Sequence, residues 1–326
     1  MHRLPCFLYR VGEHFIPPPE FGMIRPLDCL FMRRDPAGRA VPDPLAFREV
    51  TDPRDAAVFL FPWDIGQYMD SGLSRAITAL IANLPYLAGR ERQHIVCDAS
   101  DFFARLSLPV CLFKINVRRG EEKDCIPMPY TLPAHMLDAA PEFHWNTVRY
   151  DVSFVGNATS PLRKAAVLSV RSQAPDLHLF VDFDNSFVMA EGSFHSIRKS
   201  PEETAARQRL YKESIARSLT VLCPPGIGPL SIRMLETMYL GRIPVLFEND
   251  AVYPFSAKID YGAFCFLLPE NQVMNTGMRL AAWLREQGDE ALREKCVLAC
   301  KTWNQYFSPD RVTRCLLNEA RYLFWH

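Results

Sequence analysis

Short, densely apolar runs recur along this chain with helical patterns between them, and that alternation narrows the possible folds more than any other feature. The early runs are CFLYRV, AAVFLFPW, HIVCD and VCLFKINV, with a helix predicted over 71–87. A second series starts near Tyr150: DVSFVGN as strand, 161–172 as helix, LHLFVDF as strand, 201–218 as helix and LTVLCPP as strand. A helix over 230–240 and the strands IPVLFEN and AFCFLLP complete it. Near-continuous apolar runs are strands covered on both faces, which in turn implies parallel sheets sandwiched by helices. The predicted class is α/β, with two Rossmann-like, doubly wound domains. The proline-rich and aperiodic CIPMPYTLPAHMLDAAPEFHW separates the series, giving domains over 1–145 and 146–300 and a C-terminal helix over 301–326 that packs back on the body. The polar stretch 191–204 is expected to form a mobile surface loop.

Two domains suit 326 residues at roughly 150 per domain. Lys plus Arg and Asp plus Glu are equal at 37 each, so no overall field draws the chain to nucleic acid. None of the 10 cysteines has zinc-site spacing; most lie in apolar runs, as small core residues of a reducing compartment. The apolar start MHRLPCFLYRV is too short for a secretory signal, and no run approaches the roughly 18 apolar residues of a membrane span. The expected location is cytoplasmic, with any membrane contact peripheral and at the inner face. The terminal ARYLFWH is the segment for such contact, unless it packs on the body as a helix.

Chemistry concentrates in 219–244, LTVLCPPGIGPLSIRMLETMYLGRIP: a buried strand, a Pro/Gly turn, an amphipathic helix stopped by Gly241, and another strand. Gly226 and Gly228 let the backbone approach a ligand or take a positive φ, and Pro229 suits a first helical turn. The helix start offers unpaired N–H groups and the positive end of its dipole to an anion, with the Ser231 hydroxyl beside them. Arg233 and Glu236, three apart, share a face: the guanidinium suits a diphosphate and the carboxylate a ribose. Spacing alone equally allows an exposed helical ion pair.

The succession Tyr211, Ser218, Leu222-Cys223-Pro224, Gly226, Ser231, Arg233, Glu236, Gly241, Ile243-Pro244-Val245, Tyr253-Pro254-Phe255 and Ile259-Asp260 resembles the exostosin-like glycosyltransferases of the GT47 type. The resemblance covers 151–270 well and the first domain more weakly, through TDPRDAAVFLFP, 94–98 and 124–129. It implies the GT-B fold, with two Rossmann-like domains facing across a crevice, the first for the acceptor and the second for the donor. It also implies inverting transfer from a nucleotide-sugar, UDP-linked by expectation, to a glycan or lipid-linked saccharide, with Ser231, Arg233 and Glu236 on the donor. The chain has no counterpart of the Golgi members' membrane anchor and is short, so the expectation is a compact cytosolic enzyme of bacterial type. A fold-retaining subunit without catalysis is the alternative.

At SPLRK, Ser160 reads as N-cap, Pro161 opens a helix, and Arg163 reaches the same cleft as a second anion contact or stands as a solvated surface charge. Asp182-Phe183-Asp184 has the form of a metal-binding Asp-x-Asp; with a helix terminus already supplying positive charge, no metal and no cofactor are expected. Inverting displacement also needs a base for the acceptor hydroxyl, sought at first-domain strand ends: Asp98 first, then Asp64 and His14, with Glu13 and Asp101 as further options. Each of these can equally be a cap or turn residue.

Overall fold

The computed structural model describes residues 3–10, 30–37, 39–66, 68, 72–100, 109–137, 144–157, 160–183, 187–190, 193–196, 200–226 and 228–325. It divides into two compact units. The first comprises Met1–Thr131, Asp250–Phe255 and Tyr306–His326; the second comprises Leu132–Asn249 and Ser256–Gln305. The break falls after Thr131 rather than after residue 145, and the chain crosses back to the first unit twice. The C-terminal helix thus belongs to the first unit.

In the first unit, β1 (Leu4–Leu8) is followed by the antiparallel hairpin of β2 (Met32–Arg34) and β3 (Ala40–Pro42), then β4 (Phe47–Glu49) and β5 (Val58–Asp64). Helix α1 (Ser74–Ala82) leads to β6 (His94–Asp98), β7 (Cys111–Lys114) and β8 (Cys125–Pro127). The sheet order is β4-β1-β5-β6-β7-β8, every neighbour parallel. Apolar strand faces meet in a core of Phe59, Phe61, Trp63, Val96 and Leu112, onto which α1 lays Ile77 and Ile81. The predicted 71–87 helix stops at Ala82 because Pro85 disfavours helical backbone before it.

His94 is fully buried in this core. Its ring stacks on Phe59 at 4.5 Å, its Nδ1 lies 2.9 Å from the Arg90 carbonyl, and its Nε2 lies 2.8 Å from the Tyr9 hydroxyl. Burial lowers its pKa, outweighing the Arg90 carbonyl and Glu91, so the native state holds the neutral ring. The unfolded chain protonates this histidine below about pH 6.5, so its contribution is complete above that value and is lost as pH falls toward the lowered native pKa. Urea melts across this range should show a stability loss that His94→Asn lacks; an equal slope in the variant would assign the loss elsewhere.

In the second unit the short α2 (Ala134–Leu137) precedes β9 (Tyr150–Gly156), α3 (Pro161–Gln173) and β10 (Leu179–Phe183). An antiparallel hairpin of β11 (Phe187–Ala190) and β12 (Ser193–Ser196) follows, so the expected 191–204 loop contains a strand and the start of α4 (Pro201–Ala216). Ser200 accepts from the Glu203 N–H and Glu203 reaches back to Ser200, a capping box that fixes this helix start. Then come β13 (Ser218–Cys223), α5 (Ile232–Tyr239), β14 (Ile243–Glu248), β15 (Phe266–Pro269) and α6 (Thr276–Thr302), broken at Gly288. The sheet order is β10-β9-β13-β14-β15, again all parallel. Phe154, Val167, Val170, Leu222, Val245 and Leu280 join sheet to helices. The last helix, α7 (Val312–Phe324), is tied into the first unit by Thr313, whose hydroxyl donates to Leu30 O, and by Arg314, which donates to Leu45 O at 2.7 Å. Among the described residues no helix is long and apolar enough to cross a membrane.

Candidate functional site

In the second sheet, β9 leads to β10 on one side, while β13 lies on its other side. The strand order therefore reverses between β9 and β13, and loops leaving their C-terminal ends part to open a cleft. The end of β9, the start of α3, the turn after β13 and the start of α5 meet there.

Two guanidinium groups span this opening, one behind the other. The inner belongs to Arg233, in the first turn of α5 and only 6% exposed. Its Nη2 donates to Val155 O at 2.8 Å, its Nη1 to Leu222 O at 3.5 Å, and it lies 4.6 Å over the Phe154 ring. Gly156 makes this possible: φ is 151°, and a Cβ there would stand 2.5 Å from Arg233 Nη2. The outer guanidinium is that of Arg163, in the first turn of α3 and half-buried. Its Nε donates to Pro225 O and its Nη1 to Asn157 O, both at 3.2 Å. Arg163 thus joins the loop after β9 to the loop after β13, and Arg233 joins the ends of the two strands themselves. Gly226 supplies space rather than a left-handed backbone, because its Cβ would meet Arg163 Nη2 at 2.8 Å.

The charges reinforce one another. Burial and the neighbouring Arg233 pull Arg163 down to about 10. Among the described residues no carboxylate forms an ion pair with it. Burial also pulls on Arg233, but Tyr211, Cys223 and Glu236 outweigh it and the net shift is upward. Glu236, one turn along α5, is 4% exposed and accepts a hydrogen bond from the Tyr211 hydroxyl. Burial raises Glu236, against the Tyr211 bond and the Arg233 charge. Tyr211, on α4, is pushed well above its ordinary value by burial and then by Glu236.

This geometry excludes the exposed Arg233–Glu236 ion pair, since both side chains face inward. It also corrects the outward reach expected of Arg233: its guanidinium is engaged with strand-end carbonyls, and Arg163 holds the outer position. Ser231 is the N-cap of α5, half-buried and with no capping bond from its hydroxyl. Gly228 is buried in the turn, and Asn249 Nδ2 donates to Pro229 O at 3.0 Å, bracing the same turn. Ser160 is the N-cap of α3, also without a side-chain bond. Tyr211 had no role in the sequence reading; its one signal was its place in the family succession.

The candidates for a base lie in the first unit. Asp64 ends β5, and its Oδ1 accepts from the N–H of Gly66 and of Ala99, both at 2.8 Å, while burial raises its pKa. Asp98 ends β6, is fully buried, and accepts from Ser100 N–H at 2.9 Å; burial raises its pKa against that bond and against Lys114. Both have the bonding of turn-forming carboxylates. Glu13, His14 and Asp101 lie outside the described residues, as does Asp184. Asp182 is on β10 and pairs with Arg207, and among the described residues no group of three His, Cys, Asp or Glu could hold a metal.

The family model for the Exostosin GT47 domain matches residues 47–283, which takes in the β9/β13 opening, both arginines and Glu236. This chain belongs to the exostosin GT47 family. The chain is 33% identical over 95 residues to a probable glucuronosyltransferase of Oryza sativa subsp. japonica, a stretch that is 29% of this chain and 22% of the relative. It is 34% identical over 65 residues to a probable glucuronoxylan glucuronosyltransferase of Arabidopsis thaliana, 20% of this chain and 14% of that one. The matched stretches thus span about a fifth or less of these relatives' length. Among solved structures, a glycosyltransferase from Rickettsia africae is similar at a TM-score of 0.41 and 9% identity over 85% of both chains.

Proposed function

We propose that this chain is an inverting glycosyltransferase whose nucleotide-sugar donor, UDP-linked, binds at the C-terminal ends of β9 and β13. The observation that carries this reading is Arg163: a half-buried guanidinium beside a second one, with no paired carboxylate among the described residues, at the mouth of a strand-order reversal. An anion there relieves the repulsion between the two arginines, and a diphosphate is the anion such an opening suits. The α5 N–H groups and the Ser231 hydroxyl add donors to the departing diphosphate, and Arg233 holds the two strand ends that carry them. Glu236, oriented by Tyr211, takes the ribose. The sugar passes by direct displacement to a glycan or lipid-linked saccharide, with a first-unit base, Asp98, Asp64 or His14, drawing the hydroxyl proton. Positive charge from two arginines and a helix terminus fits transfer without a metal, so activity is expected to survive excess EDTA.

A nucleoside diphosphate at a hundred times its dissociation constant should stabilise the protein by about 2.7 kcal/mol, measurable as a melting shift. The panel should include UDP, GDP and, because the rice and Arabidopsis relatives carry glucuronosyltransferase names, UDP-glucuronate. No shift with any of them would falsify the reading. Glu236→Gln keeps an acceptor for Tyr211 but loses the charge-assisted bond to a ribose; UDP affinity of the folded protein should fall about tenfold, alongside a loss of stability from leaving the buried Arg233 without that charge. An unchanged affinity removes Glu236 from the donor site. The full burial of Asp98 favours a second reading, a binding subunit that retains nucleotide without turnover. Donor hydrolysis or transfer in the same panel separates the two.

A further inference from the structure

At the opposite edge of the first sheet, a cavity of about 550 Å³ opens where β1, β5 and β6 begin, floored by Leu4 and Val58. Parallel sheets bind substrates at their C-terminal edge, so this cavity at the N-terminal edge is separate from any acceptor site of the same unit. Arg90, Arg92 and Arg321 line it. Among the described residues none of the three pairs with an acidic side chain; Arg90 Nη1 donates to Pro53 O at 3.0 Å, and Glu91, which also lines the cavity, accepts from Gly89 N–H at 2.9 Å. The cluster does not reflect a generally basic chain, since positive and negative residues are equal at 37 each.

The aromatic end of α7 is fastened to this basic rim. Arg92 lies 4.6 Å over the Phe324 ring, and Trp325 Nε1 donates to Arg92 O at 2.6 Å. Beside these contacts Tyr322 is 74% exposed and Leu323 39%. Arginines with exposed aromatic and aliphatic side chains at one helix end form the pattern of an interfacial segment, charges at headgroup level and rings at the acyl boundary. A soluble anion has no use for the exposed Tyr322 and Leu323; a lipid uses both.

We propose that this cavity takes the phosphate headgroup of an anionic membrane lipid and seats the first unit on a membrane surface through the end of α7. The inference stands apart from the donor reading, because it concerns the other edge of a different unit.

The test is flotation of the full chain with vesicles of phosphatidylcholine alone or mixed with phosphatidylglycerol. The protein should float with the mixed vesicles only and be released by high salt. Arg321→Gln should weaken this binding about fivefold, as expected for one basic residue at an anionic surface. Tyr322→Ser, at a 74% exposed position, should weaken it further, with melting measured on the same variant to separate lost docking from lost folding. Failure to float, equal flotation with both vesicle types, or unchanged flotation of both variants would overturn the proposal. Stabilisation by inorganic phosphate without vesicle capture would overturn it in favour of a soluble anion.

Discussion

Arg233→Met is expected to destabilise the protein by about 3–5 kcal/mol, the cost of removing one partner from a buried charge cluster. The side chain is 6% exposed, so its loss does not hand its partners to water. Val155 O loses the donor at 2.8 Å, and Glu236, 4% exposed, is left in the core with Tyr211 alone. The ends of β9 and β13 also lose the tie between them. Urea unfolding at neutral pH measures the effect. An exposed helical pair would contribute only about 0.2–0.5 kcal/mol, so a loss in that range would overturn the buried arrangement. Gly156→Ala should destabilise for the complementary reason: it keeps the guanidinium but places a Cβ 2.5 Å from Nη2, on a backbone at φ 151°.

The same contrast explains what the sequence could reveal. HIVCD, LTVLCPP and IPVLFEN are legible as strands because burial on both faces demands unbroken apolar runs, and they became β6, β13 and β14. The three-residue β4, reading FRE, has no pattern long enough to register. Ser200 and Glu203 carried a capping signal inside a stretch whose polarity suggested a loop, and the local hydrogen bonds prevailed. The recruitment of 250–255 and 306–326 to the first unit depends on contacts far apart in sequence, which periodicity does not encode. In the site, a spacing of three put Arg233 and Glu236 on one helix face but could not say which face. Every residue of α5 from Arg233 to Tyr239 is buried, so the helix has no polar side to point those two outward. Arg163, a basic residue just inside a helix that opens at a strand end, could by sequence meet the cleft or stand in solvent, and the packing of α3 places it against Pro225 O and Asn157 O.

Arg163→Ala should separate folding from donor binding in the opposite sense. Its two bonds, to Pro225 O and Asn157 O, are at 3.2 Å, and each contributes about 1 kcal/mol at most in this half-exposed setting. Their loss is offset by relief of repulsion on Arg233, the charge that helps pull Arg163 down to about 10. Unliganded stability should therefore change by about 1 kcal/mol or less. UDP affinity, measured by calorimetry, should fall about tenfold to a hundredfold, because a hydrogen bond between ionised partners contributes about 1.5–3 kcal/mol. Arg163→Lys keeps the charge without the planar fork that reaches two loops, and should restore only part of the affinity. If Arg163 serves solely to tie the loops, the outcome reverses: stability falls, lysine does not restore it, and UDP affinity in the folded protein is unaltered. Arg233→Met cannot make this distinction, because its expected loss of stability is large whether or not a diphosphate binds. The outer arginine is thus the position at which a diphosphate site and a structural clasp give opposite results.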